Sequence, residues 1–342
     1  MKALVLEAPG EPPRLVVKQV PRPAVGPRDV LVQVRAAGVC WHDILVARGV
    51  LRRGVKPQLV LGHEVSGEVV ETGALVSTLF PGDKVVALLT EPCGLCRMCS
   101  EGREHRCLNG VGIGHGTDGG FAEYLKIAET GAVKVPPEAD PLGACLYACP
   151  MGVALHALGE VAGLRAGETV VVTGAGGGLG AHAVQVARAS GAWVLAVTTS
   201  PHKVEGLRRL GADEVLLSPE AGFGEEVLAL TEERGAEVVF HTLGTVGFAE
   251  AWKALAPFGR LLVVGDLGGG TIPLPPAELL FKDARILGVA GTNRRQVQEV
   301  ARMAALGRVR PVVARTYPLA EATAAFEEVA SHQQLGRVVL LP

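Results

Sequence analysis

At 342 residues the chain exceeds the usual size of one compact core, and about 150 residues per domain points to two domains. With 48% hydrophobic and only 20% charged residues, wholesale disorder is excluded. The 33 basic and 35 acidic side chains nearly cancel, without a run of like charge, which argues against nucleic acid or an anionic membrane as partner.

The first third reads as short strands divided by Pro and Gly, over residues 2–6, 14–20, 30–35, 65–71 and 83–88. That spacing predicts a barrel or sandwich. Two windows of nineteen residues, Pro141 to Gly159 and Thr169 to Ala187, lack any Asp, Glu, Lys or Arg. Neither reads as a membrane span. The first contains Pro141, Pro150 and His156, and the second holds five glycines between Gly174 and Gly180. The opening MKALVLEAPGEPPR has too short an apolar run for an export signal, so a cytoplasmic address is expected.

From Thr169 the rhythm becomes strand, helix, strand. The apolar run Thr169 to Thr173 passes through a glycine turn into Leu179, Ala183, Val186 and Ala187 at helical spacing. Strands are expected at Val194 to Val197, Val215 to Leu217, Val238 to Phe240 and Leu261 to Val264, with a helix near Lys203 to Leu210. This alternation predicts a doubly wound parallel α/β sheet. A helix near Ala320 to Ala330 and a strand Val338 to Leu341 lack a following partner, and are expected to return to the first domain.

Seven cysteines without an export signal favour reduced thiols acting as ligands over disulfides. Cys93, Cys96, Cys99 and Cys107 follow C-x2-C-x2-C-x7-C, which lets one loop close four thiolates around Zn²⁺ with no open position. Such a site is structural. An iron–sulfur cluster is the rival reading. The turn Gly174-Ala175-Gly176-Gly177-Gly178-Leu179-Gly180 lies between strand and helix, where glycines let backbone approach a pyrophosphate.

Cys40 in GVCWHD, His63 and Glu64 in GHEVSGEVVETG, Cys149 in CPMGVALHAL, PGDKV at 81–85 and DGGFAEY at 118–124 add to the four-cysteine loop and the glycine turn. In this order and separation they make the chain similar to the zinc-dependent alcohol dehydrogenases of the medium-chain dehydrogenase/reductase superfamily. The resemblance implies a GroES-like β-barrel catalytic domain at 1–150, a Rossmann domain at 151–289 and a segment 290–342 rejoining the first, with substrate in the cleft between domains. It also implies two zinc ions per subunit. Cys40, His63 and Cys149 would hold the catalytic ion, with Glu64 as a further metal-site residue that orients a ligand or touches the zinc and Asp43 beside it, and Cys93, Cys96, Cys99 and Cys107 the structural one. Cys145 lies four residues before Cys149 and could share its face. The family's Ala-Leu pair, eight and nine residues past the ligand, is met by Ala157 and Leu158 counting from Cys149.

Three positions depart from relatives. His42 stands where many keep a Ser or Thr that relays the substrate proton, so it relays in their place, fills substrate space or points away. Leu45 and Val153 replace a relay histidine and a nicotinamide-facing Thr. The glycine turn resembles the GxxGGxG of yeast-type enzymes and quinone reductases, and implies cofactor contacts from Gly174, Gly176, Gly177, Gly178, Leu179 and Gly180. After strand WVLAV come Thr198, Thr199, Ser200 and Lys203 with no carboxylate, which favours NADP over NAD. Lys203 has the alternative of a solvated helix start. Arg337 matches an arginine that can reach cofactor phosphates, or is a plain surface arginine.

The leading expectation is hydride transfer between NAD(P) and an alcohol, aldehyde or ketone. Alternatives are an NADPH-dependent reductase of enoyl (acryloyl-CoA-like) or quinone substrates, and a non-catalytic zinc and dinucleotide sensor. The resemblance also implies a homodimer or homotetramer joined through the Rossmann sheet near residues 284–291.

Overall fold

Val30, Val32 and Val34, two residues apart on strand Asp29–Val39, point into one hydrophobic core with Leu4, Leu6, Val65, Val69 and Val85. Period-two burial of this kind is what the short N-terminal strands promise. In the computed structural model, which describes residues 1–218, 222–266 and 269–342, this core belongs to one of two compact units. It comprises Met1–Gly152, Gly291–Gly307 and Pro311–Pro342; the other is Val153–Ala290 with Arg308–Arg310.

The first unit is mainly antiparallel. Its larger sheet runs Ala132–Lys134, Lys84–Ala87, Glu64–Thr72, Asp29–Val39, Arg337–Leu341, Val313–Pro318. One edge of Asp29–Val39 is shared: its first half pairs with Tyr124–Ala128 and its last residues with the C-terminal strand, Val338 opposite Val39 and Leu340 opposite Ala37. A three-stranded sheet of Arg14–Gln19, Lys2–Ala8 and Leu59–Val60 and a two-stranded pair of Thr90–Glu91 with Val111–Gly112 also belong to this unit. The strands at 124–128, 132–134 and 313–318 escape the pattern reading because each is short or mostly exposed.

The second unit is a six-stranded parallel sheet in the order Glu214–Leu217, Trp193–Thr198, Thr169–Val172, Ala236–His241, Leu255–Val263, Arg285–Gly288. Val170, Val171 and Val172 are all fully buried, as expected of a strand covered on both faces. Strand order reverses at Thr169–Val172, between its neighbours Trp193–Thr198 and Ala236–His241, and such switch points are where doubly wound sheets bind ligands. Helix Gly178–Ala189 starts at the glycine turn and buries Ala183, Val184, Val186 and Ala187. The helix expected near Lys203 to Leu210 is a 3₁₀ turn Pro201–Lys203 running into helix Val204–Arg209. Among the described residues no helix is long and apolar enough to cross a membrane.

Candidate metal centres and dinucleotide turn

Cys40 follows the last residue of strand Asp29–Val39 and caps helix Trp41–Ala47 in extended conformation. Its backbone N–H donates to Asp43 Oδ2 at 2.9 Å, while Asp43 Oδ1 lies 3.1 Å from His63 Nδ1. The fully buried Asp43 therefore fixes both the helix start and the imidazole, whose Nε2 is left for other work. Strand pairing sets Gly38 opposite Glu64. A Cβ there would stand 2.2 Å from Glu64 Oε2, so any larger residue would displace the carboxylate.

Cys149 comes from a π turn, Tyr147–Gly152, with Pro150 inside it. The wide turn separates the two candidate cysteines. Cys145 is fully buried and donates its thiol to the Leu142 carbonyl at 3.3 Å, whereas Cys149 joins Cys40, His63 and Glu64 with donor atoms all within 4.8 Å of one another.

The charges of this cluster are interdependent. A hydrogen bond from Cys149 holds the Cys40 thiol well below its ordinary pKa, and that bond together with burial holds Cys149 well above. Burial opposes a charge on His63, but Asp43, and then Cys40, keep it well above the usual histidine range. Burial pushes Glu64 up to about 7, against the pull of Arg337. The Arg337 guanidinium lies 2.9 Å from Glu64 Oε1, yet neither Glu64 oxygen accepts an aligned hydrogen bond. Two sulfurs, an imidazole and a carboxylate with unsatisfied oxygens fit a divalent cation of borderline softness such as zinc.

Sequence reasoning missed this use of Arg337. It is 6% exposed and faces Glu64, so the surface-arginine alternative is corrected. His42 packs edge-on against His63, with ring centres 5.0 Å apart, and 5.3 Å from His115. Burial, with His63 beside it, pushes its pKa down to about 4, and its Nδ1 is buried without a hydrogen-bond partner. His115, 73 residues from His42 in sequence, carried no motif that could have placed it there.

The four-cysteine loop is half-exposed and free of disulfides. Cys96 Sγ is 3.6 Å from Cys99 Sγ and 3.7 Å from Cys107 Sγ. Tetrahedral ligation with Zn–S of about 2.3 Å puts sulfurs about 3.8 Å apart, so the loop fits a single ion better than a multi-iron cluster. The N–H groups of Cys93 and Leu108 donate to Cys107 and Cys96 sulfurs at 3.2 and 3.4 Å. Backbone donors at Leu95 and Cys96 bring Cys93 down to about 6, while burial and its sulfur neighbours raise Cys99 to about 12.

In the second unit, Gly174 adopts φ +59°, Ala175 N–H donates to Val197 O at 3.0 Å, and Gly177 caps helix Gly178–Ala189. The turn thus presents Gly176, Gly177, Gly178, Leu179 and Gly180 around a helix N-terminus, which favours a phosphate. Thr198 is buried at the end of its strand, its Oγ1 accepting from Ser200 N–H at 3.2 Å, while Thr199 is exposed. Lys203 is 5% exposed, and its side chain lies so close to Gly176 that a Cβ there would stand 2.4 Å from Lys203 Cδ. The solvated helix start is therefore corrected. The lysine packs on the glycine turn.

The model of the alcohol dehydrogenase GroES-like domain matches residues 26–137, and that of the zinc-binding dehydrogenase family residues 178–305. Over 341 residues the chain is 38% identical to the acryloyl-coenzyme A reductase of Metallosphaera sedula, covering 99% of each. It is 34% identical over 330 residues to an alcohol dehydrogenase of Geobacillus stearothermophilus, covering 95% of each. The crystal structure of an NAD-dependent alcohol dehydrogenase superposes with a TM-score of 0.95 at 30% identity, all of both chains being covered. A GroES-like domain joined to a Rossmann domain defines a medium-chain dehydrogenase/reductase, an oxidoreductase class. Within that superfamily the chain belongs to the alcohol dehydrogenase family.

Proposed function

We propose that the chain transfers hydride between NAD(P) and a primary or secondary alcohol, or the matching aldehyde or ketone. The observation that carries this reading is the convergence of the half-buried Cys40 and Cys149 on the buried His63 and Glu64. Cys40, His63 and Cys149 would hold a zinc ion, with Glu64 as an additional or exchanging donor. Bound there, zinc supplies Lewis-acid stabilisation of negative charge on the substrate oxygen. Asp43 holds the His63 ring through Nδ1, so that Nε2 would be the nitrogen offered to the metal. Arg337 balances the carboxylate of Glu64. Cys93, Cys96, Cys99 and Cys107 would hold a second, structural zinc.

The glycine turn would bind the pyrophosphate. Thr198, Thr199, Ser200 and Lys203 bring no carboxylate to the end of strand Trp193–Thr198, which supports NADP over NAD. The sheet-edge strand Arg285–Gly288, near the exposed Leu280 and Phe281, would pair with a second copy of the chain, giving a homodimer or homotetramer that a sizing column would detect.

A second reading, NADPH-dependent reduction of an enoyl thioester, is favoured by the acryloyl-coenzyme A reductase relative and by His42. A buried imidazole held at about 4 is uncharged near neutral pH, and it occupies the place of the relay hydroxyl. Steady-state assays separate the readings. Turnover of benzyl alcohol with NADP, or of benzaldehyde with NADPH, supports the first, and turnover of acryloyl-CoA alone would replace it with the second. Nucleotide binding without turnover of any of these would leave a sensor.

A further inference from the structure

The carboxyl end of the parallel sheet carries a histidine for which hydride transfer has no use. His241 closes strand Ala236–His241 and is 0% exposed. Its Nδ1 lies 3.0 Å from Thr173 Oγ1 and its Nε2 2.8 Å from the Gly244 carbonyl oxygen, with Phe248 edge-on at 5.9 Å between ring centres. Thr173 immediately precedes the glycine turn, and Gly244 lies in the loop that follows the histidine. The ring thus ties the loops of two adjacent strands together at the point where strand order reverses.

Partner chemistry fixes the tautomer. A carbonyl oxygen only accepts, so Nε2 carries hydrogen; burial lowers the pKa of the ring and keeps it neutral, so Nδ1 accepts from the Thr173 hydroxyl. Thr173 Oγ1 accepts the Thr242 N–H at 3.1 Å, and the Thr242 hydroxyl donates to the Thr173 carbonyl at 2.9 Å. Each of these groups has one role. The join is also tight, since a Cβ on Gly174 would stand 2.5 Å from Thr242 Oγ1.

We propose that His241 is a positioning residue for the dinucleotide: as an Nε2-protonated imidazole it locks Thr173, and with it the glycine turn, to the 242–244 loop before cofactor binds. This rests on reading Gly174 to Gly180 as the dinucleotide turn. A preset backbone avoids the ordering cost of binding, so loss of the lock should appear in cofactor affinity more than in turnover.

The test is NADPH titration by nicotinamide fluorescence on the intact zinc-loaded protein, comparing wild type with His241→Phe, His241→Gln and Thr173→Val. Phe fills the space without polar atoms, whereas the Gln amide can still donate to Gly244. H241F and T173V each remove two buried hydrogen bonds, and each should weaken NADPH by about tenfold, with kcat at saturating NADPH changed less than about twofold. H241Q should recover most of the affinity. ¹⁵N NMR of wild type should show His241 as the Nε2–H tautomer. If H241F does not fold, T173V and H241Q still decide the matter. Affinity within about twofold of wild type in T173V, or an Nδ1–H tautomer at His241, overturns the proposal. Wild type that binds neither NADPH nor NADH would instead overturn the dinucleotide reading beneath it.

Discussion

The two sulfur-bearing centres of the first unit are built on opposite plans. Cys93, Cys96, Cys99 and Cys107 sit in one half-exposed loop, shaped by local turns in which Ser100 N–H donates to Cys96 O, Gly102 N–H to Cys99 O and Cys107 N–H to Glu104 O. Cys40, His63, Glu64 and Cys149 come from a helix cap, a loop, a strand start and a π turn. They meet because strand register sets Gly38 against Glu64. The first centre has every sulfur available to a closed site, whereas the second sets two half-buried sulfurs beside a buried imidazole and carboxylate, and is flanked by Asp43 and Arg337. On the proposed reading, the first centre would hold the chain together and the second would do the chemistry.

The largest way to test this contrast is His63→Ala. It removes the neutral ligand, and kcat/KM for the best substrate should fall on the order of 10⁴-fold, equivalent to ~5 kcal/mol of transition-state stabilisation. Retained turnover with one zinc per chain would remove the catalytic role of the buried centre. Next comes Arg337→Met, which removes the guanidinium 2.9 Å from Glu64 Oε1 and should cost about 3–5 kcal/mol of stability in denaturant melts. The double variant Glu64→Gln with Arg337→Met should regain most of that loss, and failure to regain it would mean that the pair does not act as a unit.

Asp43→Asn keeps the shape but weakens the grip on His63 Nδ1. Chelator competition should show metal affinity at the buried centre down about 10- to 100-fold, with the loop metal unaffected. Equal loss at both centres would contradict their independence. The smallest effect on turnover is expected from Cys99→Ser. Elemental analysis should show loss of one zinc and the melting temperature should drop, while kcat per folded chain stays within about threefold because the loop supplies no open ligand position. A tenfold loss of kcat would tie the two centres together.

Much of this was legible in the chain. Period-two runs marked the strands at 30–35 and 65–71, and the glycine turn followed by Ala183, Val186 and Ala187 marked the start of the Rossmann helix. The convergence of the four loop sulfurs was readable because these cysteines are near neighbours in sequence. The choice between Cys145 and Cys149 was not settled by spacing, since an ordinary helix puts both on one face; motif count favoured Cys149, and the π turn separates them. Arg337 and Glu64 are far apart in sequence, and no local pattern announces that two charges will share a buried site. His115 beside His42, and His241 beneath the glycine turn, were invisible for the same reason.

By itself the sequence determined what depends on neighbours along the chain: strand and helix periods, turn chemistry, the closed cysteine loop and the absence of an acid after strand Trp193–Thr198. Tertiary structure alone decided which distant groups share a buried volume, which cysteine faces them and which charges must balance. The physical reason is that periodicity and spacing are short-range signals, whereas ligation and burial depend on strand register and packing between segments that meet only when the whole chain has folded.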